Sequence, residues 1–479
     1  GGGQSLLRSV SAGFKKIHAL EADQNVIDLM KDRFKEFSGD IYNRDNIVVM
    51  QKEARHFIRQ TRNRYDLIEL SMIDAYNAAA SGVYALNESY LYTVEAFKDY
   101  YRKLSSNGLL TVTRWMVTPA RDNLKLFNMV IKALDGMGVE APENHLIAIR
   151  SLQTLTLVVS KQEMPQDLIM RTRAFAKERF FDLVHCPGIS PGEVNQYIRL
   201  KTAVYYQGMR KLLSGDGKAF VDQYDFDIRA ATDNRPFFYN FFKPKVLDLI
   251  IAYGSSQVPV TEWGYLLLLI ILIPVLLISA ACILMPLTLV KADPGRLSGS
   301  GLLYFSFIGC GYFFIQIPMI QKMVLFLGHP VYAISVVTAT FLISSSIGAF
   351  FSDRLFEPKW LIPAAAGLIC LLVGGTVFGM DTLLERFIHL DTWARFSMVI
   401  ALSVPMGFFL GIPFPAGLKI IKGQSDRMVP MAWGVNGFFS VISILCAALC
   451  AVVFGFRAVL LSALFFYSAA GMFSLKMAR

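Results

Sequence analysis

Paired cysteines are missing from this chain of 479 residues. Its six cysteines are Cys186, Cys282, Cys310, Cys370, Cys446 and Cys450, and no two form a CxxC pair. Five lie in apolar runs, so they read as packing residues rather than disulfides or metal ligands. His185 beside Cys186 lacks partner spacing, and no metal is expected. There is no lysine-rich block with interleaved aromatics, although the net charge is +10. The basic balance therefore reads as Lys and Arg at membrane-helix ends, and nucleic acid is not an expected partner. No signal-peptide pattern opens the chain. "GGGQSLL" stands without an initiator Met or a preceding strand, as expected of a fragment missing its natural start.

Hydrophobic residues make up 54% of the chain, and mean hydropathy is +0.43. The excess is uneven. Charge concentrates before residue 243, and long uncharged runs dominate from Trp263 onward. This predicts a soluble domain at 1–160, a helical and loop extension at 161–242, a linker at 243–262 and a membrane domain at 263–479.

In the soluble half, helix and strand patterns alternate. "SLLRSV", "QNVIDLMKDRFKEF", "EARHFIRQ", "NESYLYTVEAFKDYYRKL" and "RDNLKLFNMVIKALDGM" carry helical spacing. "KKIHALEAD", "NIVVMQ", "YDLIEL" and "GLLTVTRW" read as strands between them. Short connections between alternating elements predict a mainly parallel, doubly covered sheet. "HLIAIRS" and "TLTLVVS" follow with no room for a helix, so an antiparallel hairpin closes it. The fold class is α/β, Rossmann-like of the methyltransferase type, followed by an all-α polytopic membrane domain.

Gly1, Gly2 and Gly3 fit a tight first turn where backbone approaches a ligand. Glu21 falls about twenty residues on, where a carboxylate accepts ribose hydroxyls, with Asp23 beside it. Glu53 follows the third strand pattern, within reach of an adenine amino group. Other readings stay open. An artificial leader also gives three glycines, a solvated strand end also gives Glu21, and a first-turn acid favoured by the helix dipole also gives Glu53. "YDLIELSMIDAYN" ends a strand and carries Ser71, Asp74 and Tyr76 out of it.

The run "GGG…IHALEAD…QKEARHFI…YDLIEL…ALNESYLYTVEAF…LSSNGLLTVTRW" resembles the spermidine synthase-like, or aminopropyltransferase, domain, in its bacterial versions fused to transmembrane helices. "ATDNRPFFYNFF", "FLGHPVYA", "GIPFPAGL" and "AWGVNGFFSV" resemble the same fusions. The resemblance implies decarboxylated S-adenosylmethionine as co-substrate and a polyamine as acceptor. It places the family's D-S-S-D-P-like motif so that the first acid falls on Ser71, the second on Asp74, and the proline on Ala75. Asp74 then takes over the amine, with Tyr76 as hydrogen-bonding partner; Glu69 is a less favoured substitute. A methyltransferase using S-adenosylmethionine, and a transporter or sensor that binds a nucleoside or polyamine without turnover, are the alternatives.

Seven apolar runs are long enough to span a bilayer, near 263–289, 299–321, 331–351, 360–380, 396–417, 431–453 and 457–475. Charge is almost absent from their interiors, against coupled transport. "VPMGFFLGIPFPAGL" predicts a broken helix, with either a cavity-lining or a packing role. Gln316, Gln321 and Asn436 are candidate interhelical polar groups. Phe237, Phe238, Tyr239, Phe241 and Phe242 read as an interfacial anchor. Six Lys and Arg fall on the soluble-domain side and nine opposite, a small bias against a cytoplasmic soluble domain. The donor argument outweighs it and predicts a cytoplasmic domain on a bacterial inner membrane, with a homo-oligomer left open.

Overall fold

The computed structural model describes residues 2–73, 88–245, 263–286, 297–355 and 357–477. The chain divides into two units, Gly1–Tyr265 and Leu266–Arg479.

The first unit runs α1 (Gln4–Ser11), β1 (Ile17–Glu21), α2 (Gln24–Lys31), β2 (Ile47–Gln51), α3 (Ala54–Gln60), β3 (Tyr65–Ser71), α4 (Val94–Lys103), β4 (Leu104–Trp115), α5 (Asp122–Asp135), β5 (Leu146–Arg150) and β6 (Thr154–Ser160). It continues with α6 (Gln166–Glu178), β7 (Asp182–His185), α7 (Val204–Leu213) and α8 (Gly217–Gln223). The strands form two sheets rather than one. β1 and β2 pair in parallel, and a separate mixed sheet has the order β3-β4-β6-β5-β7. β3 and β4 are parallel, whereas β6 is antiparallel to both β4 and β5. β1 and β3 share no backbone pairing among the described residues. Side chains bridge them instead, with His18 Nδ1 3.0 Å from the Tyr65 hydroxyl.

Two-residue alternation sets the core. Leu110, Val112 and Arg114 of β4 share a buried face. Leu110 and Val112 pack with Phe97 and Tyr100 of α4 and Leu124 and Phe127 of α5. α5 is buried along nearly its whole length, because the extension covers its other side. Gly208 abuts Leu124, and Asn128 Nδ2 donates to Ile228 O at 2.8 Å.

The aromatic run departs from the sequence expectation. Phe237, Phe238, Tyr239 and Phe241 are buried in the soluble unit rather than held at a lipid interface. Buried cations recruit them. The Arg114 guanidinium lies 4.6 Å from the ring centres of both Tyr92 and Phe238. Arg121 lies 5.4 Å from Phe241, and the Lys125 ammonium 4.9 Å from the same ring. A cation facing a ring while shielded from water gains most from the ring's quadrupole. Lys125 Nζ also donates to Asn240 O at 2.7 Å and to Phe237 O at 3.2 Å.

The second unit holds α9 (Trp263–Ser279), α10 (Gly299–Leu327), α11 (Pro330–Leu355), α12 (Pro358–Phe378), α13 (Met380–Arg386), α14 (Thr392–Leu410), α15 (Pro413–Gln424), α16 (Val429–Phe454) and α17 (Phe456–Met477). Six helices among the described residues are long and apolar enough to cross a membrane, α14 and α15 counting as one. The first of the seven expected runs gives a shorter apolar helix, Leu268–Leu284, interrupted by Pro274 and a π-turn at Ala280–Leu284. The expected break falls between α14 and α15, at Gly411 and Ile412.

Small residues close the α11–α14 contact. A methyl group on Gly348 would overlap the Phe408 carbonyl, and one on Gly407 or Gly411 would overlap Ser344 or Ser345. Such small-residue stripes let helix backbones approach without a hydrophobic driving force. Polar groups serve the same end. Asn436 Nδ2 donates to Phe305 O at 3.2 Å, and Gln316 Nε2 to Thr338 Oγ1 at 3.4 Å. Arg395 Nη1 donates to Phe326 O at 2.7 Å, satisfying a last-turn carbonyl of α10. Asp381 pairs with both Lys322 and Arg457.

Two outcomes are expected. Gly348→Ala lowers the thermal midpoint of the detergent-solubilised chain, whereas Gly374→Ala, whose new methyl meets open space, leaves it unchanged within error. Burial pushes the Lys125 ammonium down to about 7 from 10.5, against the pull of Asp227. Between those values the unfolded chain holds the proton that the folded chain has released, so stability rises with pH. A pH series of thermal midpoints should show that rise in the wild type and lose it in Lys125→Met; parallel curves would contradict it.

Candidate functional site

Gly3 forms the tight turn that opens α1. Its φ of 78° is left-handed, and a Cβ there would lie 3.1 Å from Ile41 Cγ2 and 3.4 Å from Tyr42 Cε2. Both conformation and space therefore require glycine. Gly2 is exposed, and a Cβ there would meet nothing within 4 Å; Gly1 lies outside the described residues.

Glu21 ends β1 half-buried, and Asp23 N donates to its Oε1 at 3.3 Å. Burial, and then the Glu21 carboxylate, push the Tyr42 phenol up. Tyr42 packs in one small core with Leu6 of α1 and with Ile17 and Ala19 of β1, the strand that Glu21 ends.

The other two candidate acids cap helices. Asp23 Oδ1 accepts from Asn25 N at 2.9 Å at the start of α2. Glu53 accepts from Arg55 N at 2.9 Å and His56 N at 2.6 Å at the start of α3. A carboxylate that satisfies two otherwise unpaired N–H groups fits the first-turn reading of Glu53. Burial pushes its carboxyl up against the pull of those two amides.

Ser71 closes β3, paired with Thr113 of β4. The chain turns away at Met72, whose φ is 46°. Asp74 and Tyr76 lie outside the described residues. Glu69, two residues before Ser71, shares its face of the strand, and Ser5 Oγ of α1 donates to Glu69 Oε1 at 2.9 Å. The glycine-turn helix and the end of β3 are thereby brought together. The sequence signal for this was an acid between the apolar residues Ile68 and Leu70 of the strand.

Arg55 had no signal of its own. It is 1% exposed and contacts Asp99 at 2.9 Å and Asp233 at 3.1 Å. Its Nη1 donates to Tyr90 O at 3.0 Å and Thr93 Oγ1 at 3.1 Å. Thr93 in turn caps α4 through Ala96 N and donates to Asp233 Oδ1 at 2.6 Å. Ser89 N donates to Pro236 O at 2.7 Å. These bonds fix residues 89–93 ahead of α4. The turn at Asp233 therefore serves the soluble unit's core.

The described residues contain no group of three or more His, Cys, Asp or Glu able to hold a metal ion. Gly3, Glu21 and Tyr42 offer a nucleoside a close backbone approach, a carboxylate for sugar hydroxyls and a ring. Glu69 and Ser71 offer a cation a carboxylate and a hydroxyl.

Arg55→Met strands two carboxylates and should cost about 3–5 kcal/mol in unfolding free energy. Arg55→Lys should recover little of it, because an ammonium cannot reproduce the guanidinium fork. Denaturant unfolding of the three proteins checks both statements.

A family model described as the spermine/spermidine synthase domain matches residues 1–148. No curated protein matches the chain.

Proposed function

From a spermine/spermidine synthase domain at residues 1–148 in a chain with six candidate membrane-spanning helices, we propose a membrane-bound aminopropyltransferase. It would transfer the aminopropyl group of decarboxylated S-adenosylmethionine to a polyamine. The observation that carries this reading is the small core, inside the family-matched segment, that joins the helix opened by Gly3, Tyr42 and the strand ending in Glu21.

In this reading Glu21 accepts the ribose hydroxyls and Gly3 lets the backbone close on the nucleoside, with Asp23 beside the sugar. Glu53 meets adenine while its oxygens cap α3. Asp74 and Tyr76, with Ser71, face the amine. An aliphatic amine titrates near 10.4 and is almost wholly protonated at neutral pH, so it needs a carboxylate before it can attack. Methylthioadenosine leaves as the second product. The donor is made inside the cell, which puts the soluble unit on the cytoplasmic face of a bacterial inner membrane. Lipid and the amine are its partners, and a homo-oligomer is compatible with the fold.

Ser71, where the family motif has its leading acid, favours a second reading: a nucleoside- or amine-binding module that serves the helices without turnover. A hydroxyl cannot deprotonate an ammonium group unaided.

The two readings separate by product. The full chain in detergent, given labelled decarboxylated donor and putrescine, should release methylthioadenosine. Glu21→Gln should weaken donor binding in a calorimetric titration by ~10- to 100-fold, the worth of hydrogen bonds to a charged group. Donor binding without release would support the second reading.

A further inference from the structure

We propose that Glu69 stands in for the carboxylate absent at position 71, binding the acceptor's reacting amine and taking its proton. The assignment rests on the aminopropyl-transfer reading.

Three observations carry it. First, Glu69 sits inside β3 between Ile68 and Leu70, and Leu70 is buried on the opposite face. A carboxylate in such a strand is costly unless it is bonded or used. Its Oε1 accepts from Ser5 Oγ at 2.9 Å, while Oε2 has no hydrogen bond among the described residues and Glu69 is only half-buried. One oxygen is thus held in place, and the other keeps its hydrogen-bonding capacity unspent among the described residues. Second, strand alternation puts Glu69 and Ser71 on one face, so a hydroxyl acceptor accompanies the carboxylate. Third, Ser5 lies in the helix whose Leu6 shares a core with Tyr42 and with Ile17 and Ala19 of β1, the strand that ends in Glu21. The elements carrying Glu69 and the proposed ribose acid therefore both pack on α1.

Two strand residues span about 6.6 Å. An amine handled by Glu69 would sit that much further back along β3 than one handled at position 71, beside Ser5. In the step, the nitrogen lone pair forms a C–N bond to the methylene carbon next to the sulfonium. The C–S bond breaks, its electron pair stays on sulfur, and the sulfonium becomes a neutral thioether. The proton leaving nitrogen goes to Glu69 Oε2 and then to water.

The test uses the full chain in detergent. Methylthioadenosine release from decarboxylated donor and putrescine is measured across pH. Putrescine binding is titrated in the presence of methylthioadenosine, for wild type, Glu69→Gln, Glu69→Asp, Asp74→Asn and Ser5→Ala. Glu69→Gln should lose at least ~100-fold in kcat and ~10-fold in putrescine affinity, with an unchanged thermal midpoint, and Glu69→Asp should recover part of both. Asp74→Asn should raise KM for putrescine more than it lowers kcat. Ser5→Ala should displace the acid limb of the pH profile. Glu69→Gln within a few-fold of wild type in both assays, with Asp74→Asn inactive, overturns the proposal. If the wild type releases no methylthioadenosine, the transfer reading falls and the titration decides alone. Putrescine bound by wild type and lost in Glu69→Gln keeps the amine site; equal binding, or none, removes it.

Discussion

A buried guanidinium organises the soluble unit. Arg55 follows the capping acid of α3 and reaches across to α4, to Tyr90 and Thr93 ahead of it and to the turn at Asp233. A cation this deep is tolerable only when every face is answered, and Asp99, Asp233, Thr93 and a carbonyl answer it. Burial pulls the Arg55 guanidinium down, but Asp233 and Asp99 more than offset this and hold it well above its usual range. Because Asp233 lies 178 residues away along the chain, the extension is bound to the same node as the sheet. Arg114, Arg121 and Lys125 repeat the theme at the aromatic run, where rings and carbonyls join the Asp122 carboxylate.

The membrane unit relies on a different device. Its helices approach through Gly348, Gly407 and Gly411, and Gln316 and Asn436 bond neighbouring helices, while hydroxyls such as those of Ser346 and Thr376 bond their own. The broken helix at Gly411 and Ile412 thus has a packing role that its glycines explain. Arg395 and the Lys322–Asp381–Arg457 group answer carbonyls and charges at helix ends.

The strands were legible because apolar, β-branched runs such as "NIVVMQ" and "YDLIEL" alternate with amphipathic helices. Their division into two sheets was not, since nothing in β1 or β3 says which edge is paired. α2 stops at Lys31, well short of Phe37, because Phe34 and Phe37 find no core and remain exposed. The burial of Phe237–Phe241 was illegible for a similar reason: an aromatic cluster reads alike at a lipid headgroup and over a buried cation, and its partners lie more than a hundred residues away. Asp23 and Glu53 could have been read as caps, since each precedes a helical pattern. At the candidate site, Gly3 and Glu21 were visible by spacing, whereas Arg55 and the Ser5–Glu69 bond required the fold.

The central claim is that the glycine turn, Glu21 and the end of β3 address one bound nucleoside. The most direct measurement is an experimental structure of the full chain with methylthioadenosine bound. The account predicts ribose hydroxyls on the Glu21 carboxylate, backbone of the Gly3 turn against the nucleoside, and the thioether sulfur directed to the Glu69 face of β3. A nucleoside bound elsewhere, or one that leaves Glu21 turned to solvent, would contradict it.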